Sequence, residues 1–402
     1  MFMKKYFTVL VVVLPFVFTN CIRNMDSSSA DRSLIDLSAA KIFKINPSDT
    51  TGYDYSDVVV SSDYLLLETT SASLIGEIDK IHFDDTLIFI LDKSVAEAIF
   101  IFSKKGDFLT KIANKGAAPG EFLGIRDFTL DKHSKEICLF DLQGRKVNFY
   151  TYGGVFLRSK PIPFLFSEFE FLDKDTIAFS TATAYNEHRA DVDNYFLVVG
   201  NMEGNVYRTD FAYPESDRDF TFFNRWHLKR FGDSVWFYPR YSNIIYQVNQ
   251  TGSIPRYAFD FGKDGFSVED KKSLTNKVFN ELIKTKNYFP GDYVDLAHTA
   301  YFVIATPNGD YKLFYSKKED KILGSTRFFI EDPLAPFIKI PFASVDSNTF
   351  VCVGYPNTVL NYIALMGEEK DKSQDAEALY KSLSESSNPI LFFYTLRDHF
   401  RK

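Results

Sequence analysis

The chain has 402 residues and a formal net charge of -7, with acidic and basic residues interspersed. This charge pattern argues against nucleic acid as a partner, because nucleic-acid-binding proteins carry a basic face. Aromatic residues make up 17% of the chain, with 42 Phe and 23 Tyr. Such residues favour half-buried pleated surfaces, so the composition predicts one large β domain, although the length would allow two or three domains.

The N-terminus has the features of a secretory signal. Lys4 and Lys5 precede an apolar run over residues 6–18. This run is shorter than the roughly 20 apolar residues of a membrane-spanning helix, so residues 1–20 are predicted to be a cleaved signal peptide. Cys21 follows at once and resembles the acceptor cysteine of bacterial lipoproteins, although Asn20 stands where those signals carry a small residue.

Lipidation of Cys21 is therefore predicted, and secretion without a lipid is the alternative. Several acyl chains would anchor the protein stably, whereas a single chain binds a membrane only marginally. The serine-rich residues that follow are typical of a flexible tether. The predicted organisation is a signal peptide at 1–20, a lipidated N-terminus and tether at 21–36, and a folded domain at 37–402.

The other two cysteines, Cys138 and Cys352, each lie in an apolar, strand-like run. We expect both to be buried thiols, because free cysteine behaves as a small core hydrophobe. The spacing predicts neither a disulfide framework nor a Cys-x-x-Cys site.

From residue 87 onward, several segments repeat one plan, in which a strand is followed by a tight polar turn and another strand. "LIFILDKSVAEAIFIFSKKGDFLTKI" and "EICLFDLQGRKVNFYTYGGVFLRS" are two examples. These units are spaced roughly 40–70 residues apart, and internal repeats of about this length are typical of propellers or solenoids. Between these two examples, "KGAAPGEF" is predicted to be a crossover from the rim of one blade to the central strand of the next. It has no P-loop pattern, and ligand binding is the alternative role for it.

Two stretches have a helical period, "VEDKKSLTNKVFNELIKTK" and "SQDAEALYKSLSES". Both fall between strand groups, so they are predicted to be short surface insertions.

"KGAAPGEF" and the segment "IRDFTLDKHSKEICLFDLQGRKVNFYTYGGVFL" resemble the crossover and blade of six-bladed β-propeller lipoproteins of Bacteroidetes, which are relatives of the NHL-type propellers. The opening "SDVVVSSDYLLLETTSASLIGEIDKI" and the ending "NPILFFYTLRDHF" are also similar to that family. The resemblance implies an all-β, six-bladed β-propeller of four-stranded antiparallel blades, with an N-terminal strand that joins the last blade. Ring closure would remove exposed edge strands.

Local catalytic and phosphate-binding motifs are absent from the sequence, and the six histidines are too scattered to predict a zinc site by spacing. Asp191, Asp193 and Asn194 alternate like calcium ligands, but a strand follows directly, so a solvated turn is predicted. Neither a metal site nor a cofactor is predicted from local motifs.

Propellers assemble sites from different blades, so the candidate ligand-binding residues are polar residues at the innermost strands. Each also has a structural role as an alternative, such as an ion pair between blades or a satisfied core histidine. The candidates are Arg126, Asp127, Glu168, Glu170, Asn224, Arg225, His227 and His298. Trp226 and Trp236 would suit stacking on sugar rings or packing within a blade.

The sequence thus predicts a non-catalytic binding or scaffold module for a peptide, glycan or protein partner. A lipid would hold it on the outer membrane, facing either the periplasm or the cell exterior. The alternative is a metal-dependent lyase or hydrolase with its site on the propeller axis, as in some related propellers, since the fold alone does not imply function.

Overall fold

The computed structural model describes residues 35–47, 52–84, 86–182, 184–214, 218, 225–240, 242–267, 270–271, 274–329, 334, 337–366 and 374–401. The predicted signal peptide, Cys21 and most of the predicted tether lie outside the described residues, as does Asn224. Three strands come before the first complete blade. They are β1 (Lys41–Lys44), β2 (Tyr53–Asp54) and β3 (Val59–Leu66).

The next four sheets each contain four consecutive antiparallel strands. The first blade has β4 (Lys80–Phe83), β5 (Leu87–Asp92), β6 (Ala98–Ser103) and β7 (Phe108–Ile112). The second has β8 (Ile125–Asp131), β9 (Glu136–Asp141), β10 (Lys146–Thr151) and β11 (Phe156–Pro161). The third has β12 (Glu168–Phe171), β13 (Ile177–Ser180), β14 (Tyr195–Gly200) and β15 (Val206–Ala212). The fourth has β16 (Leu228–Phe231), β17 (Ser234–Phe237), β18 (Ile244–Val248) and β19 (Ser253–Asp260).

The last two blades complete the ring of six. The fifth has β20 (Tyr288–Asp295), β21 (Thr299–Thr306), β22 (Gly309–Ser316) and β23 (Lys321–Ser325). A short strand β24 (Phe328–Phe329) then pairs with β2. The sixth has β25 (Pro341–Ser344), β26 (Thr349–Gly354) and β27 (Ile390–Leu396), and β3 is its fourth strand. The chain is therefore a six-bladed β-propeller, as predicted.

Ring closure depends on β3, which pairs antiparallel with the C-terminal strand β27 from Val59 to Leu66. An N-terminal strand thus completes the last blade, as predicted from the resemblance. At the fourth blade, β1 adds in parallel to β19, so the outer edge of that blade is covered by a fifth strand. Both pairings hide strand edges that would otherwise be open to association.

The crossover prediction for residues 115–122 is confirmed, because the segment joins the outer strand β7 to the inner strand β8. Phe122 is fully buried, and its backbone N–H donates to the carbonyl of Asn114 at 3.1 Å. Gly120 has a φ of +84°, and a Cβ there would lie 3.0 Å from the Cβ of Phe156. Backbone geometry and close packing therefore explain the glycine at this position.

The hydrophobic core is divided among the interfaces between blades. Phe89 and Phe128 belong to the core between the first and second blades, and Phe140 and Phe179 to the core between the second and third. The middle strands are buried on both faces, which explains their continuous apolar runs. Cys138 and Cys352 lie in these cores as buried free thiols, as predicted.

Three α-helices lie entirely within the described ranges. They are α1 (Asn276–Leu282), α2 (Pro356–Met366) and α3 (Gln374–Ser382). Helix α1 lies between the fourth and fifth blades, within the first predicted helical stretch. Helices α2 and α3 instead lie inside the sixth blade, between β26 and β27. Helix α2 was not predicted, because its sequence is largely apolar and shows no clear polar face. In the structure, Val359 and Ile363 are its buried side chains.

Candidate functional site on the propeller axis

The first strand of each blade lies at the centre of the ring. Strands β8 and β12 contact each other, β12 contacts β16, and β25 contacts β4, β16 and β20. Because β16 and β25 belong to blades that are not neighbours, the axis is narrow. Polar side chains of different blades therefore meet there. We call Lys80, His82, Asp127, Thr129, Glu170 and Arg230 the axial cluster.

Glu170 is the centre of the axial cluster and is completely buried. Its Oε1 lies 2.9 Å from Nζ of Lys80 and 3.3 Å from Nε2 of His82, both on the first blade. Its Oε2 accepts a hydrogen bond from Oγ1 of Thr129 on the second blade at 2.8 Å. The same oxygen lies 3.3 Å from Nε of Arg230 on the fourth blade. One carboxylate thus joins four of the six blades.

Asp127 is the second buried carboxylate of the cluster. Nζ of Lys80 donates to both of its carboxylate oxygens at 3.1 Å, and the backbone N–H of Phe169 donates to Oδ2 at 3.0 Å. Asp127 therefore ties the second blade to the first and third. Arg230 makes a further link, because its Nη2 donates to the carbonyl of Phe171 on the third blade.

The protonation states follow from burial and from these contacts. Burial by itself would raise the pKa of Glu170, but Lys80, His82 and Arg230 hold it well below its ordinary value. Burial lowers the pKa of His82, so its imidazole is neutral at physiological pH. Burial raises the pKa of Asp127 to about 6, against the opposing effect of Lys80. At neutral pH two carboxylates therefore face two cations inside the axial cluster.

At one end of the cluster, Glu168 accepts hydrogen bonds from the backbone N–H groups of His227 and Leu228, at 2.7 and 2.6 Å. The His227 ring is buried, and its Nδ1 donates to the carbonyl of Tyr238 at 2.9 Å. Both side chains therefore hold the start of β16 in place.

Trp226 lies beside them, between the first and sixth blades. Its Nε1 donates to the carbonyl of Asp79, which directly precedes the first blade, at 2.7 Å, and its ring packs against Phe342 with centroids 5.0 Å apart. Lys229 lies beneath, with Nζ 4.9 Å from the Trp226 ring centroid and donating to the carbonyl of Tyr293 at 3.1 Å. Burial lowers the pKa of Lys229 to about 8. Trp226 packs at the axis and between blades rather than on an open surface.

The structure brings four of the eight predicted site residues together. Asp127 and Glu170 lie in the axial cluster, and Glu168 and His227 lie beside it. Arg126 is exposed and donates to Oγ of Ser167 at 3.0 Å. Arg225 is also exposed, with its guanidinium 5.4 Å from the ring centroids of Trp226 and Phe342.

His298 is a correction, because the sequence placed it on the inner strand of the fifth blade. Strand β20 ends at Asp295, and His298 is exposed in the turn before β21. Its backbone carbonyl accepts from the N–H of Lys317 in the neighbouring hairpin turn. The position is therefore at the end of a hairpin and away from the axial cluster.

Sequence reasoning missed Lys80, His82, Thr129, Arg230 and Lys229. A signal was present, because each lies in the first strand after a crossover, where polar residues interrupt an apolar pattern. The partners could not be assigned, since they are on different blades.

The donor set does not fit a divalent metal. Each carboxylate of the axial cluster is already in contact with cations of the protein, and no group of three His, Cys, Asp or Glu residues in the described part of the chain is placed to ligate a metal. The carboxylates of the calcium-like turn are also paired with cations of the protein. Oδ1 of Asp193 lies 2.6 Å from Nη2 of Arg218, and Oδ2 of Asp191 lies 2.7 Å from Nη2 of Arg189.

Comparison with known proteins places this architecture in a family. Residues 40–395 match the profile of a domain of unknown function, DUF4934. The chain belongs to the DUF4934 family. A comparison with curated proteins gives no match. Within the described ranges, this DUF4934 chain has no helix long and apolar enough to cross a membrane.

Two solved structures resemble the DUF4934 chain. A protein of Bacteroides fragilis, named as a candidate exported protein, is 18% identical with a TM-score of 0.69, and the match covers 89% of this chain and 99% of that one. A member of the DUF4221 family from Bacteroides vulgatus is 9% identical with a TM-score of 0.47, and the match covers 85% and 97%. The first likeness supports the propeller fold of the DUF4934 chain, and at this identity it shows the fold alone.

Proposed function

We propose that this chain is an envelope-anchored propeller lipoprotein that acts as a non-catalytic binding or scaffold module for a peptide, glycan or protein partner. The observation that carries the proposal is the mutual pairing of the axial charges. In a propeller, side chains from several blades can form a binding or catalytic site on the axis. Here the charged side chains of the axial cluster form ion pairs with one another.

This pairing argues against an acid or base on the axis. A catalytic carboxylate or imidazole needs a pKa near the working pH and a path to the substrate. Glu170 is completely buried, and its pKa is held well below the ordinary range by three neighbouring side chains. The pKa of Asp127 is about 6, but this carboxylate is buried and accepts from Lys80 and from the backbone N–H of Phe169, so it has no open path to a substrate. The cluster therefore supports a rigid ring that presents its outer surfaces and turns to a partner.

The anchoring part of the proposal rests on Cys21 and on the region that precedes the matched family domain. The family match begins at residue 40 and the first strand begins at Lys41. The residues between Cys21 and that strand would link a lipid to the propeller. Similarity to a protein named as a candidate exported protein supports an address outside the cytoplasm.

Metabolic labelling tests the anchor. The full chain and its Cys21→Ser variant would be expressed in a Bacteroides host that is fed an alkyne-labelled palmitate. We expect label and membrane association in the wild type and the loss of both in the variant. Label that persists in Cys21→Ser, or a wild-type chain recovered unlabelled from the medium, would contradict lipidation at this cysteine.

Elemental analysis tests the non-catalytic part. We expect the chain, purified whole and without chelator, to contain less than one equivalent of any divalent metal. A stoichiometric metal that EDTA removes, together with cleavage of a supplied glycan or peptide that also stops with EDTA, would establish the lyase or hydrolase alternative instead.

A further inference from the structure

The fourth blade carries one strand more than the blades before it. The first three blades have four strands each, and β7, β11 and β15 are their outermost strands. On the fourth blade, β1 adds in parallel to the outer strand β19, although β16 to β19 already complete the four-stranded plan. Strand β1 is therefore an addition to a finished blade, and its contacts show what the edge of β19 can hold.

The pairing of β1 with β19 is short and is made by the main chain. Lys41–Lys44 pairs with the residues from Tyr257 to Asp260, and the N–H of Ile45 donates to the carbonyl of Asp260 at 2.9 Å. Adding an extended segment to a sheet edge is a common mode of peptide recognition. In this mode the main-chain hydrogen bonds give affinity, and pockets for alternate side chains give specificity.

Phe43 fills an aromatic pocket beside this edge and is fully buried. Its ring centroid lies 5.8 Å from that of Tyr257 and 5.6 Å from that of Phe259, both on the fourth blade. It lies 5.3 Å from the ring centroids of Phe302 and Tyr315, both on the fifth blade. A strand on the edge of β19 thus places one aromatic side chain between two blades.

The walls of the aromatic pocket are held by contacts that do not involve β1. Phe302 packs directly against Tyr257, with ring centroids 5.0 Å apart. The hydroxyl of Tyr257 donates to Oδ1 of Asp295, and the hydroxyl of Tyr315 donates to Oδ1 of Asp320 at 2.9 Å. Because the walls are fixed by the blades themselves, another strand can enter without the cost of reorganising the pocket.

Two further side chains of β1 contact the blades. Ile42 points to the other face of the sheet and packs against a small core of the fourth blade that includes Tyr246. Nζ of Lys41 contacts Oδ1 of Asp320 in the hairpin turn of the fifth blade. The site therefore contacts a basic, an aliphatic and an aromatic side chain in succession.

We propose that the edge of β19 is a docking site for an extended segment of a protein partner, in which a basic, an aliphatic and an aromatic residue follow one another. Strand β1 occupies this site within the same chain. A glycan is a poorer match, because it lacks the regular N–H and C=O groups that continue a β-ladder. The inference rests on the proposed function as a binding module, and it names the class of partner for one site.

Occupation by β1 makes the site selective. A strand of the same chain competes with an effective concentration on the order of millimolar. A partner segment must therefore displace β1, and weakening β1 should open the site to a free peptide.

Fluorescence anisotropy tests the docking site. The probe is a labelled synthetic peptide with the sequence of residues 37–46, LSAAKIFKIN, and it is titrated with the full chain in a Cys21→Ser background. With Phe43→Ala the chain should bind the probe at least tenfold more tightly than without it, because β1 then lacks the ring that fills the pocket. Lys41→Glu should give a severalfold gain, since it places two carboxylates together at Asp320. The probe that itself carries Phe43→Ala should bind at least tenfold more weakly.

Phe166→Ala is the matched control, because Phe166 is buried in the core between the second and third blades and leaves β1 unchanged. It should bind the probe as the wild-type strand does. Lys41 lies at the surface end of β1, so its variant stays informative even if Phe43→Ala unfolds. Unchanged probe binding by Lys41→Glu and a folded Phe43→Ala, or an equal gain with Phe166→Ala, would overturn the docking site.

Two further measurements separate the explanations. A wild-type chain that is dimeric, and that Phe43→Ala makes monomeric, would assign the edge of β19 to a second copy and overturn the partner assignment. Mass spectrometry of the probe separates this inference from the proposed function. A cleaved probe contradicts the non-catalytic module, whereas an intact probe that fails to bind contradicts the docking site alone.

Discussion

Lys80 and Glu170 lie 2.9 Å apart, from Nζ to Oε1, although they belong to the first and third blades of the ring. The second blade lies between them in the chain and contributes Asp127 and Thr129 to the same cluster. This pair therefore bridges the narrow axis. The ion pair makes the stability of the first blade depend on that of the third.

Glu170→Gln should destabilise the fold by about 3–5 kcal/mol, because removing one partner of a buried ion pair leaves the other charges without compensation. Urea unfolding followed by circular dichroism would measure the change. Glu203→Gln is the control, since Glu203 pairs with Lys160 at the surface and exposed pairs contribute about 0–1 kcal/mol. A loss below about 1 kcal/mol for Glu170→Gln would show that the cluster is not a stabilising link.

Lys229 should give the protein a stability that increases with pH above neutrality. Burial lowers its pKa from 10.5 to about 8, Arg225 acts in the same direction, and Asp292 and Glu168 act against it. Between these two pKa values the unfolded chain binds more protons than the folded chain, so the free energy of unfolding increases with pH.

Replacing Lys229 by Met removes the titrating group from this site. The difference in unfolding free energy between wild type and Lys229→Met should therefore change by about 1–2 kcal/mol, in favour of the wild type, from pH 7.5 to 9.5. Urea unfolding at each pH measures it. A difference that stays constant over this range would mean that the folded-state pKa of Lys229 is unshifted.

Gly120→Ala should destabilise the crossover between the first two blades by about 1–3 kcal/mol, because a side chain is strained at positive φ and would crowd Phe156. Gly252→Ala is the matched control, since a Cβ at that position meets nothing within 4 Å. Thermal unfolding of both variants makes the comparison. Equal melting temperatures would show that the crossover tolerates a side chain.

Cys138 and Cys352 should resist thiol reagents while the protein is folded. Both are completely buried, and burial raises the pKa of Cys352 to about 12 and that of Cys138 well above its ordinary value. In a Cys21→Ser background, Ellman's reagent should detect no thiol in the native protein and two in guanidinium chloride. Rapid labelling of the native protein would indicate that blades two and six open readily.

The blade plan could be predicted from local sequence patterns. Alternating and continuous apolar runs, tight glycine turns and the crossover at Gly120 are local patterns, and local patterns specify strands and their connections. The joining of the N-terminal strand to the last blade was predicted from the resemblance to propeller lipoproteins and is confirmed by the pairing of β3 with β27.

Which polar residues meet could not be predicted, because it depends on how the blades pack in the folded chain. Lys80, Asp127, Glu170 and Arg230 are far apart in the chain and come together because four inner strands converge on one axis. The position of His298 in a turn could not be predicted either, because the residue at which β20 ends depends on the pairing of β20 with β21. The core between the third and fourth blades likewise combines Leu172 of one blade with Val248 of the next, and no local pattern records how two blades pack.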